Sequence, residues 1–386
     1  MKYICLMRRV QVEEFLKESD QGLILDVRSP GEYNHAHLPG AINLPLFSDE
    51  ERKVVGTAYK QVSRQNAIKI GLDYFGPKMR VMVEEVERLT VDSCSLAENN
   101  TTNMQRPTTN VFVYCWRGGM RSGAVAWLLN LYGFPVTVLA GGYKAFRNWA
   151  IKTNAEPYRL QLIGGYTGSG KTILLNELAQ RGELIINLEE LACHKGSAFG
   201  NIGMAPQPSQ EMFENLLSVE LRKANSKWQA ATSLEPSLTA HHSSRTIWVE
   251  DESQRIGHIN LPQAFWQNMR RSPLYFLDIP FEERLEYLVK EYGSLDREKM
   301  IAAIERVAKR LGPLETKTSI ELLQEGNTKE SFSILLRYYD KHYMKGLHKR
   351  ENLASILTNI PCEKVSVENA ALVSQIQYAS TYAGTN

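Results

Sequence analysis

The stretch GGYTGSGKT, residues 164–172, constrains the fold of this chain more than any other part of its sequence. It satisfies the pattern G-x-x-x-x-G-K-[ST] through Gly165, Gly170, Lys171 and Thr172. The apolar run RLQLI precedes it, and the helix-forming run ILLNELAQRG follows it. A strand, a glycine-rich turn and a helix in this order let backbone amides surround phosphate oxygens, while the lysine neutralises their charge. The sequence therefore predicts an α/β domain with a phosphate-binding loop.

A carboxylate ligand for a magnesium ion is predicted at the end of a second strand. The run RTIWVEDES carries three acidic residues in a row, and Asp251 is the candidate ligand together with the hydroxyl of Thr172. Glu250 and Glu252 are alternatives for the same role. Solvated acids at a strand end would give the same pattern, so the sequence leaves the choice of ligand open.

A second anion-binding loop is predicted at YCWRGGMRSG, residues 114–123. The run TNVFVY before it is typical of a buried strand, and SGAVAWLLNLYGF after it is typical of a helix. Cys115 then opens a tight loop in which amides, a helix N-terminus and two arginines stabilise a thiolate or a bound anion. Cys115 and Arg121 are the candidate catalytic residues, and the anion contacts are assigned to Arg117, Gly118, Gly119 and Met120. A core cysteine beside a surface arginine pair is the alternative.

Length and composition limit the class of protein. The 386 residues suffice for two or three domains, and 43% hydrophobic with 23% charged residues is ordinary for a globular protein. A formal charge of +2 neither demands nor excludes nucleic acid as a partner. The five scattered cysteines favour a reducing compartment over a disulfide framework or zinc site. With no signal peptide and no membrane span in the sequence, we expect a cytoplasmic protein with no membrane partner.

Alternating strand and helix patterns predict three domains. Strands GLILDVR, VFVYC and VTVLAGG belong to a first α/β domain over residues 1–155, with an inserted polar loop at about 92–110. Strands RLQLIGG, ELIINL, RTIWVE and PLYFLDI belong to a second α/β domain over residues 156–290. Beyond residue 291 the pattern is helical, which predicts a C-terminal helical module over residues 291–386.

Three stretches of the first domain resemble the rhodanese family. They are DVRSPGEYNHAHLPGAINLPL, YCWRGGMRS and VTVLAGGYKAF, and in the first of them Ala36 stands where the family usually has glycine. The resemblance implies a parallel-sheet domain in which the loop cysteine carries sulfur or selenium. It also implies that Asp26 and Arg28 form a structural ion pair beneath the loop. Cysteine-dependent phosphatases share the Cys-x5-Arg spacing and are the alternative, although they usually have histidine where this chain has Tyr114.

Five further stretches resemble the bacterial tRNA 2-selenouridine synthase family, and the resemblance extends over nearly the whole chain. They are NLPLFSDEERKVVGTAYKQVSRQNAIKIG, LEELACHKGSAFG, QEMFENLLSVEL, WVEDESQRIG and YYDKHY. This family implies a two-step exchange at the wobble 2-thiouridine of tRNA. Geranyl diphosphate first alkylates the sulfur, and selenophosphate then supplies selenium while the geranyl thiol leaves. Gly71 matches a glycine that the family needs for selenation, and we expect it to be a close-approach position near the cysteine loop.

The resemblance also implies how the two loops divide the work. The cysteine loop handles selenium and phosphate, and the phosphate-binding loop holds the diphosphate of geranyl diphosphate through Gly165, Gly168, Gly170, Lys171, Thr172 and Asp251. No tightly bound cofactor is expected beyond a magnesium ion at Thr172 and Asp251. The expected partners are tRNA with a wobble 2-thiouridine and, as a candidate, selenophosphate synthetase.

A tRNA-binding surface is predicted on the second domain and the helical module. Its main candidates are Lys195, Arg255, Arg310 and Lys341, supported by Arg306, Lys309, Arg337 and Lys345, with Tyr339 and Tyr343 available to stack on bases. Two other functions stay open on the sequence. One is a rhodanese-type sulfur carrier coupled to an ATPase domain, and the other is a binding module that recruits tRNA or a selenophosphate source.

Overall fold

The computed structural model describes residues 7–94, 109–234 and 246–383. The chain divides between Lys152 and Thr153 into two compact units. The predicted boundary at residue 155 lies close to this division, whereas the predicted boundary at residue 290 has no counterpart in it. The predicted insertion at about 92–110 lies almost entirely outside the described residues.

The first unit is built on a parallel five-stranded sheet. In chain order its strands are β1 (Arg8–Val10), β2 (Leu23–Asp26), β3 (Ile42–Asn43), β4 (Val111–Tyr114) and β5 (Val136–Leu139). They pair in the order β1-β5-β4-β2-β3. Every residue of β2 and β4 is buried, as expected for central strands of a parallel sheet with both faces covered.

Helices connect the strands of this first sheet. They are α1 (Val12–Glu18), α2 (Pro30–His35), α3 (Asp49–Gln61), α4 (Arg64–Cys94), α5 (Met120–Tyr132) and α6 (Gly142–Thr153). A capping box of Ser29 and Glu32, with Pro30 in the first turn, begins α2. Because α5 starts directly after the β4 loop, its N-terminus lies next to the cysteine loop.

The second unit is built on another parallel five-stranded sheet. Its strands are β6 (Arg159–Gly165), β7 (Leu184–Ile186), β8 (Thr246–Glu250), β11 (Leu274–Asp278) and β12 (Leu357–Pro361), paired in the order β12-β11-β6-β8-β7. A short antiparallel hairpin, β9 (Arg255–Ile256) with β10 (Ile259–Asn260), lies outside this sheet. Parallel-sheet α/β architecture is therefore confirmed in both units.

The helices of the second unit include a long C-terminal series. They are α7 (Lys171–Gln180), α8 (Leu188–Leu191), α9 (Gln210–Leu234), α10 (Gln263–Arg271), α11 (Phe281–Tyr292), α12 (Arg297–Leu311), α13 (Pro313–Gln324), α14 (Thr328–Leu347), α15 (Leu353–Ile356) and α16 (Asn369–Ala383). None of the helices in the described part of the chain has the length and apolarity that crossing a bilayer requires.

The prediction of purely helical structure beyond residue 291 is wrong at one place, because β12 returns to the sheet. This strand, LTNIP, pairs with β11 along its full length, and only Ile360 within it is fully buried. An edge strand with one buried side chain has no apolar run to mark it in the sequence. Between β11 and β12, helices α11 to α14 pack around a separate apolar cluster that includes Met300, Ile304 and Leu336.

Candidate active sites

The cysteine loop joins β4 to α5 in the first unit. Cys115 is only 3% exposed, and its Sγ lies 3.2 Å from the hydroxyl of Ser122 in the first turn of α5. Gly118 has φ +63°, and a Cβ there would lie 2.6 Å from the Leu139 carbonyl oxygen, so only glycine fits this turn. The predicted residues Cys115 to Gly119 thus form one tight turn, and Met120 and Arg121 begin α5. Ser122, which lies in the predicted loop stretch without a predicted role, places a hydroxyl at the sulfur.

Arg121 is paired within the resting loop. Its Nη1 donates to Glu32 Oε2 at 2.8 Å, and Arg52 Nε approaches the same oxygen at 3.1 Å. Burial raises the pKa of the Glu32 carboxyl, but the hydrogen bond and charge of Arg121, with the charge of Arg52, outweigh it and bring the pKa to about 2. An anion bound at this loop therefore competes with Glu32 for the Arg121 guanidinium. Arg117, by contrast, is exposed.

The predicted ion pair beneath the loop is present. Arg28 Nη2 lies 2.6 Å from Asp26 Oδ2, and both side chains are at most 1% exposed. The Tyr114 hydroxyl donates to the same Asp26 oxygen at 2.8 Å, and the Arg28 guanidinium lies 3.9 Å from the centre of the Tyr143 ring. A buried pair satisfied in this way supports β4 directly before Cys115, so its role is structural.

Gly71 lies in α4 and is buried. A Cβ at this position would meet the ring of Phe47 at 3.3 Å and no other atom within 4 Å. The expected close approach therefore exists, but it is to Phe47 of the segment before α3 rather than to the cysteine loop.

The phosphate-binding loop joins β6 to α7 in the second unit. Gly170, with φ +72°, immediately precedes Lys171, the first residue of α7. Lys171 Nζ lies 3.4 Å from the Gly165 carbonyl oxygen, and the Thr172 hydroxyl donates to Glu189 Oε2 at 3.3 Å. Loop amides, a helix N-terminus and a lysine are thus brought together as the motif predicts, an arrangement chemically suited to a phosphate or diphosphate.

Asp251 lies after β8, but its carboxylate is occupied. One oxygen pairs with Arg350, and the other accepts a hydrogen bond from the Tyr343 hydroxyl at 2.8 Å. Both partners come from the C-terminal part of the chain, 99 and 92 residues away. With both oxygens used by protein groups, Asp251 does not fit the predicted role of magnesium ligand.

Three glutamates, Glu189, Glu250 and Glu252, lie close enough to Lys171 for its charge to favour their ionised forms. Glu250 is fully buried, and burial together with the charge of Glu189 raises its pKa to about 8. Burial and the charge of Glu189 also raise the pKa of Glu252 well above its ordinary value. Glu189 bonds Thr172 and was missed from the sequence, although it lies in the LEELACHKGSAFG stretch that resembles a known family.

The donor set suits a magnesium ion only in part. In the described ranges of the chain, His, Cys, Asp and Glu side chains do not gather in groups of three or more with the geometry of a metal site. Magnesium, however, is commonly held by one or two protein oxygens together with substrate phosphates. Thr172 and Glu189 fit that requirement, and Asp251 does not.

A cavity of about 1060 Å³ opens from the phosphate-binding loop. Gly168, Gly170, Lys171 and Thr172 line it at the loop, and Lys195, Arg270 and Arg310 add cations to its wall. Much of the remaining wall is apolar or aromatic and is formed by Phe199, Leu288, Phe332, Leu335, Leu336 and Tyr339. The site can therefore hold a ligand with a phosphate group at one end and a hydrocarbon body.

Part of the predicted basic surface is gathered around His342 on α14. Burial lowers the pKa of His342, and the charges of Arg310, Lys345 and Lys341 lower it further, so these cations lie close to one imidazole. The His342 ring also lies 4.5 Å from the ring of Tyr338. Tyr338 is half-buried, and cations beside an aromatic ring on one surface are typical of a nucleic-acid contact.

Other predicted cations lie elsewhere in the second unit. Lys195 pairs with Glu291 at 2.7 Å and lines the cavity. Arg255, in β9, donates to the Gly257 carbonyl oxygen at 2.9 Å. Among the described residues, the cations whose charges lower the pKa of His342 are Arg310, Lys345 and Lys341, and Arg255 is not one of them.

The two tyrosines predicted to stack on bases are held by their hydroxyls. Tyr339 accepts a hydrogen bond from the Ala198 amide at 2.9 Å, and Tyr343 accepts one from the Gly165 amide at 3.3 Å. Burial raises the pKa of both phenols, to about 12 for Tyr339. Tyr338 is the residue of this stretch whose ring lies beside His342, and the sequence analysis did not select it.

Comparisons with known proteins agree with both units. A family model described as the tRNA 2-selenouridine synthase AAA domain matches residues 158–360, and one described as a rhodanese-like domain matches residues 11–148. Three similar proteins are called tRNA 2-selenouridine synthase.

The chain is 35% identical over 277 residues to the one from Nitrosomonas europaea, covering 70% of this chain and 63% of the relative. It is 37% identical over 272 residues to the one from Serratia proteamaculans, covering 70% and 64%. These two matches span less than two thirds of the relatives' own length. A third match, at 31% identity over 352 residues, covers 83% of this chain and 87% of the protein from a Sulfurovum species. The AAA-domain model matches more than half of this chain, and the Sulfurovum relative is matched over most of both chains. The chain therefore belongs to the tRNA 2-selenouridine synthase family.

Proposed function

We propose that this chain is a tRNA-modifying transferase that replaces the sulfur of wobble 2-thiouridine with selenium. The reaction passes through S-geranyl-2-thiouridine, with geranyl diphosphate and selenophosphate as substrates. The observation that carries the proposal is the presence in one chain of a cysteine loop and of a phosphate-binding loop that opens into a partly apolar cavity. The names of the relatives support tRNA as the substrate, which implies a cytoplasmic enzyme.

The first step uses the phosphate-binding loop. Its amides and Lys171 bind the diphosphate, and the geranyl chain lies in the cavity beside Leu335 and Leu336. Burying the chain contributes about 0.8 kcal/mol for each CH2 removed from water. The thiocarbonyl sulfur attacks C1 of the geranyl group, the C–O bond to the diphosphate breaks, and the base loses its N3 proton. Holding the departing diphosphate lowers the barrier to this attack.

A magnesium ion, where present, would be held by Thr172 and Glu189 and would neutralise charge on the diphosphate. Asp251 is omitted because Arg350 and Tyr343 occupy its oxygens.

The second step uses the cysteine loop. The selenium of selenophosphate attacks C2 of the alkylated base and expels the geranyl thiolate, which takes up a proton. Water then attacks the phosphorus, the P–Se bond breaks, phosphate is released, and the base regains its N3 proton to give 2-selenouridine. The loop amides and Arg121 bind the phosphate oxygens of selenophosphate, and the Cys115 Sγ lies beside its selenium atom. Selenophosphate synthetase is the partner that this step implies.

The tRNA lies on the cations around His342. Arg310, Lys341 and Lys345 bind the phosphate backbone, and Tyr338 offers a ring for base stacking. This assignment replaces Tyr339 and Tyr343, whose hydroxyls bond the backbone of the second unit.

Purified protein and thiolated tRNA, with each small substrate omitted in turn, test the proposal. Nucleoside mass spectrometry should show S-geranyl-2-thiouridine with geranyl diphosphate alone, and 2-selenouridine once selenophosphate is added. Full activity is expected without nucleotide. A requirement for ATP hydrolysis, together with intact geranylation by Lys171→Ala, would instead favour the sulfur carrier coupled to an ATPase.

A further inference from the structure

Helix α14 contacts the phosphate-binding loop through its YYDKHY stretch, residues 338–343. The two-step reaction gives no role to Tyr343 or Asp340 of this stretch. The hydroxyl of Tyr343 accepts a hydrogen bond from the Gly165 amide at 3.3 Å and donates one to Asp251 at 2.8 Å. One side chain of α14 thus joins the first glycine of the loop motif to the end of β8.

A second connection starts one turn earlier on the same helix face. Asp340 accepts two hydrogen bonds from Arg284, at 2.9 and 2.8 Å. Arg284 is 3% exposed, and its Nη1 also donates to the carbonyl oxygen of Thr167 in the loop at 3.0 Å. Its guanidinium lies 4.7 Å from the centre of the Tyr166 ring. Asp340 therefore holds Arg284, and Arg284 holds the middle of the loop.

The physical need for these contacts follows from the loop itself. A loop that binds phosphate must keep its amides converging on the ligand and its carbonyl oxygens engaged elsewhere, since a carbonyl facing the anion would repel it. The Thr167 carbonyl is engaged by Arg284. The Gly165 amide is engaged by Tyr343, which fixes the start of the loop.

We propose that Tyr343 and Asp340 are positioning residues that set the geometry of the phosphate-binding loop for a diphosphate. Asp340 does not line the cavity and acts on the Thr167 carbonyl through Arg284. Tyr343 lines the cavity, and its hydroxyl bonds the loop backbone at the Gly165 amide. The choice of a diphosphate as ligand rests on the proposed function. The contacts themselves rest only on the structure.

The chain offers a matched control. Lys329 of α14 and Glu286 of α11 form a second ion pair between the two helices that Asp340 and Arg284 join, at 3.4 Å. Their side chains are 49% and 66% exposed, and the pair does not line the cavity. Both ion pairs join α14 to α11, but only the Asp340–Arg284 pair also contacts the phosphate-binding loop.

Calorimetric binding of inorganic pyrophosphate with magnesium to the full chain tests the proposal. Tyr343→Phe, which removes one oxygen atom, and Asp340→Asn should each weaken binding about tenfold, equivalent to about 1.4 kcal/mol. Glu286→Gln should stay within about twofold of the wild type on the same scale. Wild-type affinity in Tyr343→Phe, or a loss shared equally by Glu286→Gln, would overturn the proposal. Should Asp340→Asn fail to fold, Tyr343→Phe alone decides.

A kinetic readout separates this proposal from the proposed function. In the geranylation assay, the two variants should lower kcat and raise KM for geranyl diphosphate while KM for tRNA stays unchanged. A wild-type protein that binds pyrophosphate but transfers no geranyl group would refute the proposed function, yet the pyrophosphate comparison would still test the positioning role. A wild-type protein that does not bind pyrophosphate would refute the positioning role as stated.

Discussion

Replacement of Glu32 by glutamine should destabilise the first unit in a way that depends on pH. Glu32 accepts a hydrogen bond from Arg121 and completes the capping box at the start of α2. Glutamine preserves a capping box, so Glu32→Gln removes the charge and leaves the helix start intact. The perturbation therefore isolates the ion pairs of Glu32 with Arg121 and Arg52.

The size of the effect follows from the pKa of Glu32. Folding lowers it from an ordinary 4.5 to about 2. A difference of this size corresponds to at most about 3 kcal/mol of stability at neutral pH, and less where glutamine keeps a hydrogen bond to Arg121. Because the folded pKa is depressed, this stability is fully present above about pH 4.5 and is lost as the pH falls through about 2.

Hydrogen exchange of peptides from β2 and β4 measures the free energy of unfolding of this unit. The difference in the free energy of unfolding between wild type and Glu32→Gln should be largest at neutral pH, within that upper value, and should shrink to less than half of its neutral-pH size at about pH 3. Glu84→Gln is the control, because Glu84 forms an exposed pair with Arg80 and its loss should leave the free energy of unfolding close to that of the wild type at every pH. A difference that does not change with pH, or one no larger than the control's, would refute the reasoning.

Four further outcomes are expected. Cys115→Ala should abolish 2-selenouridine formation and leave S-geranyl-2-thiouridine formation intact, as measured by nucleoside mass spectrometry; loss of both in a folded protein would contradict the division between the loops. Lys171→Ala should slow geranylation about a hundredfold, the scale for losing one preorganised charge, while selenation of tRNA that is already geranylated continues. Gly118→Ala should lower the thermal unfolding temperature more than Gly40→Ala, because an added Cβ meets the Leu139 carbonyl at 2.6 Å in the first case and open space in the second. Affinity for tRNA should fall steeply with salt concentration in the wild type and less steeply in Lys341→Ala. An affinity that does not change with salt would exclude the basic surface around His342 as the tRNA-binding surface.

Sequence reasoning succeeded where the signal was contiguous. Both loops were located because a buried strand, a glycine turn and a helix follow one another directly around Cys115 and Lys171. Sequence reasoning was incomplete where the hydrogen-bond partner of a side chain lies far away along the chain. Asp251 was selected as a metal ligand by its place at a strand end, yet its oxygens meet groups 92 and 99 residues away. Tyr343 was selected for stacking by its residue type, although its hydroxyl bonds the Gly165 amide.

The sequence by itself determined the two parallel-sheet units and the two glycine-bearing loops that carry Cys115 and Lys171, because glycine turns, helix starts and buried strands are set by neighbouring residues. Only the tertiary structure decided which carboxylate bonds Thr172, which tyrosine ring lies beside His342, and where a cavity opens. Those properties arise when side chains from α8, α11, α12 and α14 meet at the loop after β6. These contacts depend on how helices that are distant in sequence pack together, and a local sequence pattern does not predict that packing.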